Sequence, residues 1–157
     1  MNRSNTSITI ANLSVAVVLV GALAFIVVYK LFAVDAKVKA SEVILQAGQW
    51  NKLLVAHAIE NEDLGSFAEI GYVPPGKLSE GGENSKSRYF KYSSDLDNGK
   101  GRFLAVNTVS FNECRKYEGK WFAYGNPEQI VGNAVAEAPV ARCATLTPFF
   151  ELLRGYH

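Results

Sequence analysis

Residues 10–29 read IANLSVAVVLVGALAFIVVY, a run of 20 residues that carries no formal charge. Only Asn12 and Ser14 interrupt its apolar character. An α-helix rises 1.5 Å per residue, so a helix of this length spans about 30 Å, the thickness of the hydrocarbon core of a bilayer. The apolar core of a secretory signal peptide is shorter, and no small-x-small cleavage motif precedes Lys30. We therefore predict a transmembrane helix that is retained.

Beyond Lys30 the helical pattern continues into a more polar segment. Neither a proline nor a glycine pair interrupts the chain between Asn12 and Glu62. This pattern predicts one helix of roughly 50 residues, whose outer part is amphipathic. We expect the outer part to pack on a domain outside the membrane through its aliphatic stripe. The stripe consists of Leu31, Val34, Val38, Leu45, Leu53 and Ile59.

The rest of the chain has the composition of a small antiparallel sheet, so we predict an α+β fold. The segments with strand character are residues 88–92, 102–110 and 120–124, with residues 140–144 as a fourth candidate. The turn signal DNGKG at residues 97–101 separates the first two of these segments.

Two other segments lie near the end of the long helix. Residues 66–70 are expected to form one further helical turn. Residues 77–87 are rich in Gly, Ser, Glu and Asn and lack periodicity, so we predict a surface loop there.

The net charge and the length of the chain restrict the classes of function that it can have. The formal net charge is +1 and no cluster of Lys or Arg stands out along the chain, so no nucleic-acid partner is predicted. The roughly 127 residues that follow the apolar run are enough for one small domain.

The two cysteines, Cys114 and Cys143, show neither CxxC spacing nor a nearby histidine. A metal site is therefore not expected, and a disulfide formed in an oxidising compartment fits the pattern better. Two unpaired buried thiols are the alternative. The disulfide interpretation favours a topology in which the carboxyl side of the membrane helix lies outside the cytoplasm.

The sequence offers no catalytic constellation, so we predict that the protein is not an enzyme and that it has no cofactor. His57 lies in the predicted helix and lacks a partner at triad or metal-ligand spacing. Asp95 and Asp97 flank a hairpin turn, where aspartate commonly bonds the backbone. Trp50 and Trp121 are expected in the core or in contacts between subunits, with a sugar-binding platform as the alternative.

Several segments resemble the type IV pilins and pseudopilins. The stretch Ser7-Ile-Thr-Ile-Ala-Asn-Leu13 and the apolar run after it are similar to the N-terminal helix of this family. Residues 36–43, AKVKASEV, are similar to the segment where pilin helices leave the filament core. The GYVPPG turn at residues 71–76 resembles a subset of bacterial pilins.

The resemblance implies a division of the chain into four parts. These are a short polar leader (residues 1–7), the transmembrane half of the helix (8–30), its amphipathic half (31–64), and a globular head with a C-terminal cysteine loop (65–157).

The resemblance also implies processing sites, at which this chain departs from the family. Leader cleavage is expected between Ser7 and Ile8, followed by N-methylation of Ile8. The family has glycine and phenylalanine at these two positions. Because serine adds a side chain at the scissile position, we predict slow or absent cleavage. Asn12 replaces the family's glutamate, and either hydrogen-bonds a neighbouring subunit or lies without a partner at headgroup level. Tyr29 replaces the helix-kinking proline.

Helix packing is expected through the small residues Gly21 and Ala22, next to Phe25.

Three functions follow as alternatives. The first is a structural subunit of a type IV pilus-like filament, which begins in the inner membrane with its head outside the cytoplasm and ends at the cell surface. The second is a pseudopilin of a type II secretion or DNA-uptake system. The third is a membrane-anchored binding module that never polymerises. The partners implied by the first two are copies of itself, other pilins and the pilus assembly machinery.

Overall fold

The computed structural model describes residues 10–80, 82, 84–97, 100–125, 135–137 and 139–153, and it describes only the backbone of residues 10–12, 95–97, 100, 135–137 and 151. The helix α1 covers Ile10–Asn61, which confirms the prediction of one long helix. The chain divides into two compact units, with the boundary between Asp35 and Ala36. We call the unit that begins at Ala36 the head.

Within the part of the chain that the structure describes, α1 is the one helix long and apolar enough to cross a membrane. The most apolar window of this helix is not buried inside the protein. A core helix of a soluble protein buries such a surface, so length, composition and exposure together fit a membrane anchor.

The head contains a six-stranded antiparallel sheet in which the strands follow one another in chain order. The strands are β1 (Lys77–Leu78), β2 (Asn84–Lys86), β3 (Phe90–Asp97), β4 (Lys100–Asn107), β5 (Lys120–Gly125) and β6 (Val135–Glu137). A short helix α2, Ala141–Ala144, and a 3₁₀ turn, Phe150–Leu152, follow the sheet. A long helix followed by an antiparallel sheet confirms the predicted α+β class.

Three of the predicted strands correspond to β3, β4 and β5, although β3 starts two residues later than expected. In the β3–β4 hairpin Asp97 pairs with Lys100, which places the connection at the predicted DNGKG turn. The helical turn predicted after α1 is present, because the Ile70 N–H donates to the carbonyl of Ser66.

The prediction of a surface loop at residues 77–87 is wrong, because β1 and β2 lie within it and form a hairpin. Gly76 has a φ of 101°, and a Cβ atom there would collide with the carbonyl oxygen of Lys86. Only glycine permits this backbone conformation together with so close an approach. The hairpin therefore depends on a local contact that composition does not reveal.

The fourth candidate strand, residues 140–144, is also wrong. The N–H groups of Cys143 and Ala144 both donate to the carbonyl of Val140, which closes the short helix α2. The strand that pairs with β5 is β6, which precedes this segment in the chain.

The face of α1 that packs on the sheet differs from the predicted one. Its buried residues follow helical spacing and are mostly alanine: Ala36, Ala40, Val43, Ala47, Trp50, Leu54 and Ala58. The predicted stripe is exposed instead, with Val38 65%, Leu45 65% and Ile59 63% accessible.

Two large residues of this face, Trp50 and Leu54, pack against glycines and an aromatic ring of the sheet. A Cβ atom on Gly125 would overlap a methyl group of Leu54, and one on Gly101 would lie 3.4 Å from the same side chain. The rings of Trp50 and Phe103 lie 5.7 Å apart. The two glycines thus leave room in the sheet for the large side chains Leu54 and Trp50 of α1.

Candidate assembly surface

The residues of α1 that precede the head present an apolar surface that the chain itself does not cover. Phe25 is 75% exposed, and the neighbouring large aliphatic residues are exposed as well. A Cβ atom on Gly21 would meet nothing within 4 Å, and Ala22 is exposed beside it. No contact seen among the described residues therefore requires a glycine at position 21. The surface at Gly21, which has no side chain, is therefore available for close packing against another helix.

The head presents a second apolar surface, which we call the outer face of α1. It consists of the exposed residues Val38, Leu45, Leu53 and Ile59. Since successive residues of a helix are about 100° apart, Val38 and Leu45 lie about 180° from the middle of the alanine-rich face. Ser41, Gln49 and Lys52 interrupt the outer face. Its large apolar residues are not covered by the head itself, and a partner would remove them from water.

The predicted processing residues and Asn12 cannot be assigned to either of these two apolar surfaces. Ser7 and Ile8 lie outside the described residues, and Asn12 is described by its backbone alone, within α1. Leader cleavage and the partner of Asn12 therefore stay predictions.

The C-terminal cysteine loop is fastened to the rest of the head at two points. Cys114 and Cys143 lie at disulfide distance, S–S 2.01 Å, and both are fully buried. Near this bridge, the indole N–H of Trp121 on β5 donates to the hydroxyl of Thr147, at 2.7 Å. The loop that follows β6 is thus held to the centre of the head.

Asn107 is a structural residue that the sequence did not indicate. Its buried amide group donates to the carbonyls of Val109 and Arg115, at 2.8 and 2.7 Å. Its amide oxygen accepts the N–H of Gly119, at 2.8 Å. One side chain thus joins three points of the connection between β4 and β5, the segment that carries Cys114. An asparagine at the end of a strand has no sequence signature for such a role.

Two buried tyrosines tie α1 to the rest of the head. The hydroxyl of Tyr92 donates to a carboxylate oxygen of Glu42 at 2.7 Å, and that of Tyr72 donates to the amide oxygen of Gln46 at 2.8 Å. Burial, assisted by the nearby charge of Glu42, raises the pKa of both phenols well above the usual value. Both hydroxyls therefore stay protonated and keep donating at physiological pH.

The tryptophans, His57 and the two aspartates of the hairpin turn, which were considered as functional candidates, all lie in secondary-structure elements of the head. Trp50 and Trp121 are fully buried, which confirms that they are core residues and removes both as a sugar-binding platform. His57 lies half-buried on α1, with its Nδ1 atom 3.1 Å from the side-chain nitrogen of Asn61. Asp95 and Asp97 belong to β3 and are described by their backbone. Among the described residues, no group of three or more potential ligands is placed to hold a metal ion.

Comparisons of the chain with models of protein families, with curated proteins and with solved structures gave no match. The resemblance to type IV pilins therefore rests on the residues of the chain itself and stays a prediction.

Proposed function

We propose that this chain is a structural subunit of a type IV pilus-like filament, assembled by bundling of its N-terminal helices. The observation that carries the proposal is the outer face of α1. In the head the helix exposes Val38, Leu45 and Ile59 on the side opposite its own domain. A helix that served only as a tether would need no apolar residues there.

The physical chemistry of assembly supports this function. Inside a bilayer, helices do not attract one another through the hydrophobic effect, so close contact at small residues such as Gly21 and Ala22 must supply the attraction. Outside the bilayer the same apolar run would be exposed to water. Full burial of a large aliphatic side chain is worth about 1.5–3 kcal/mol, and bundling of helices recovers this energy at many positions at once.

The two alternatives share parts of this description. A pseudopilin would use the same helix to build a shorter fibre confined to the cell envelope. A membrane-anchored binding module that never polymerises would leave the outer face of α1 in water, which an apolar surface disfavours.

We expect Val38→Lys to abolish filament formation, because it places a charge in the contact between neighbouring helices. The head should keep its stability, since Val38 is 65% exposed and contributes little to the core. The measurement is electron microscopy of filaments sheared from cells, together with thermal unfolding of the purified chain in detergent.

The matched control is Val73→Lys, which makes the same change at a valine that is 72% exposed and lies outside α1, in the connection between α1 and β1. Cells that carry this variant should still assemble filaments. Normal filaments from Val38→Lys cells, or equal loss from both variants, would refute the role of the outer face.

A further inference from the structure

The register of the sheet brings together four lysines that are scattered along the sequence. Lys77 on β1 pairs with Lys86 on β2, and Lys86 pairs with Lys91 on β3. Lys91 pairs with Val106 on β4, which in turn pairs with Lys120 on β5. Residues directly opposite each other point to the same side of a sheet, so these residues form one line across five strands. We call this line the lysine row.

The lysine row lies on the side of the sheet that faces away from α1. On β3, Phe90 and Tyr92 are buried against the helix, so Lys91 between them points outward. All four lysines are exposed. No ion pair joins any of them to a carboxylate that the structure describes. Like charges directly opposite each other destabilise a sheet, so the row has a cost that an anionic ligand would remove.

The part of the row on β1 and β2 is held by two local contacts. The hydroxyl of Ser85 donates to the carbonyl of Pro75 at 2.7 Å, and Gly76 packs against the backbone of Lys86. An open groove of about 530 Å³ lies here, lined among others by Lys77, Lys86 and Lys91. The ammonium groups thus extend from a fixed backbone beside a concave surface.

Aromatic side chains stand beside the row on the same side of the sheet. Phe122 follows Lys120 by two residues on β5, and Tyr124 follows Phe122 by two more. The two rings are nearly parallel, 12° apart in plane and 6.1 Å between centroids. The guanidinium of Arg102 lies 5.9 Å from the centre of the Phe122 ring. All three side chains are only partly buried.

We propose that this side of the sheet binds single-stranded nucleic acid. The lysine row contacts successive phosphates, and Phe122 and Tyr124 contact unstacked bases. Neighbouring strands are about 4.8 Å apart, so the row from Lys77 to Lys120 is about 19 Å long. That length suits a short single strand, of the order of 4 nucleotides.

The combination of charges and rings favours a single strand over other polyanions. A sulfated polysaccharide would use the lysines but has no bases for the two aromatic rings. A duplex would offer phosphates while keeping its bases stacked on each other. The net charge of +1 conceals the lysine row, because acidic residues at other positions of the chain offset it. Three of them, Asp95, Asp97 and Glu137, share this side of the sheet but lie at other register positions than the row, with Glu137 opposite Phe122.

The test measures binding of a fluorescent 20-nucleotide DNA strand to the full chain in non-ionic detergent, by anisotropy, over a range of salt concentrations. The variant Lys86→Gln/Lys91→Gln removes two charges from the row, and Lys37→Gln/Lys116→Gln removes two exposed charges elsewhere. We expect at least a tenfold loss of affinity for the first variant and less than a twofold change for the second. For single strands, each phosphate contact contributes about 0.7 to the slope of log K against log salt, so the row variant should lose about 1.4 from that slope.

A third variant, Phe122→Leu, separates base contacts from charge. It should weaken binding of the single strand and leave the salt slope unchanged. Dextran sulfate and a duplex of the same sequence serve as competing ligands. Equal affinity of the row and control variants would overturn the proposal. So would tighter binding of dextran sulfate or duplex, or insensitivity of the single strand to Phe122→Leu. The assay uses unassembled chain, so its outcome does not depend on filament formation.

Discussion

Replacing both Cys114 and Cys143 with serine is expected to lower the free energy of unfolding of the full chain by about 3–4 kcal/mol. The bridge joins residues 29 positions apart, and in the chain-entropy model a loop of that size restricts the unfolded state by about this amount. Both side chains are fully buried, so the serine hydroxyls would also need new hydrogen-bond partners. The measurement is denaturant unfolding in detergent, followed by the fluorescence of the buried tryptophans.

The control for this prediction is the unaltered chain with and without reductant. Reduction of the disulfide should reproduce most of the decrease in the free energy of unfolding that is seen in the double serine variant. Equal unfolding midpoints with and without reductant, or two free thiols in the native protein, would contradict the predicted bridge.

Asn107→Leu is expected to lower the free energy of unfolding by about 3–5 kcal/mol. The substitution keeps the number and branching of the side-chain heavy atoms but leaves the carbonyls of Val109 and Arg115 and the N–H of Gly119 without their partner. Each polar group left unsatisfied by a lost buried partner costs about 1–3 kcal/mol. The connection between β4 and β5 should loosen first, which amide hydrogen exchange would detect.

Asn61→Leu makes the same change at an exposed asparagine at the end of α1, whose side chain, among the described residues, bonds to His57 alone. We expect it to change stability by less than about 1 kcal/mol. A similar small effect from Asn107→Leu would show that the connection is held by other contacts.

The sequence predicted the long helix correctly, because an uncharged run and an uninterrupted helical pattern are local signals. It could not show which side of the outer helix faces the sheet. Large aliphatic residues such as Leu45 and Ile59 give a stronger hydrophobic pattern than Ala40 and Ala47. The buried face also carries Trp50 and Leu54, which pack where Gly101 and Gly125 leave space in the sheet, and this fit depends on tertiary contacts.

The lysine row could not be predicted for a related reason. Its members are separated by 9, 5 and 29 positions in the chain, and only the strand register aligns them. The register of β1 and β2 rests on the left-handed conformation of Gly76, in a segment whose composition indicates a loop. Composition alone therefore argued against a nucleic-acid partner.

Processing bears directly on the proposed filament. If cleavage after Ser7 is slow, uncut chains keep residues 1–7, which include Arg3. Moving that charge into an apolar bundle costs several kcal/mol unless it is paired or stays in water. We therefore expect uncut chains to remain in the membrane and cut chains to enter filaments.

The most direct test of the filament proposal is the intact mass and the N-terminal residue of the chain recovered from filaments sheared off the cell surface. We predict that the chain in these filaments begins at Ile8, while slow cleavage leaves most of the chain, beginning at Met1, in the membrane fraction. Filaments built from chains that begin at Met1 would contradict the proposed role of cleavage. A chain found only in the membrane, with none in the sheared filaments, would contradict the proposal that it is a surface filament subunit.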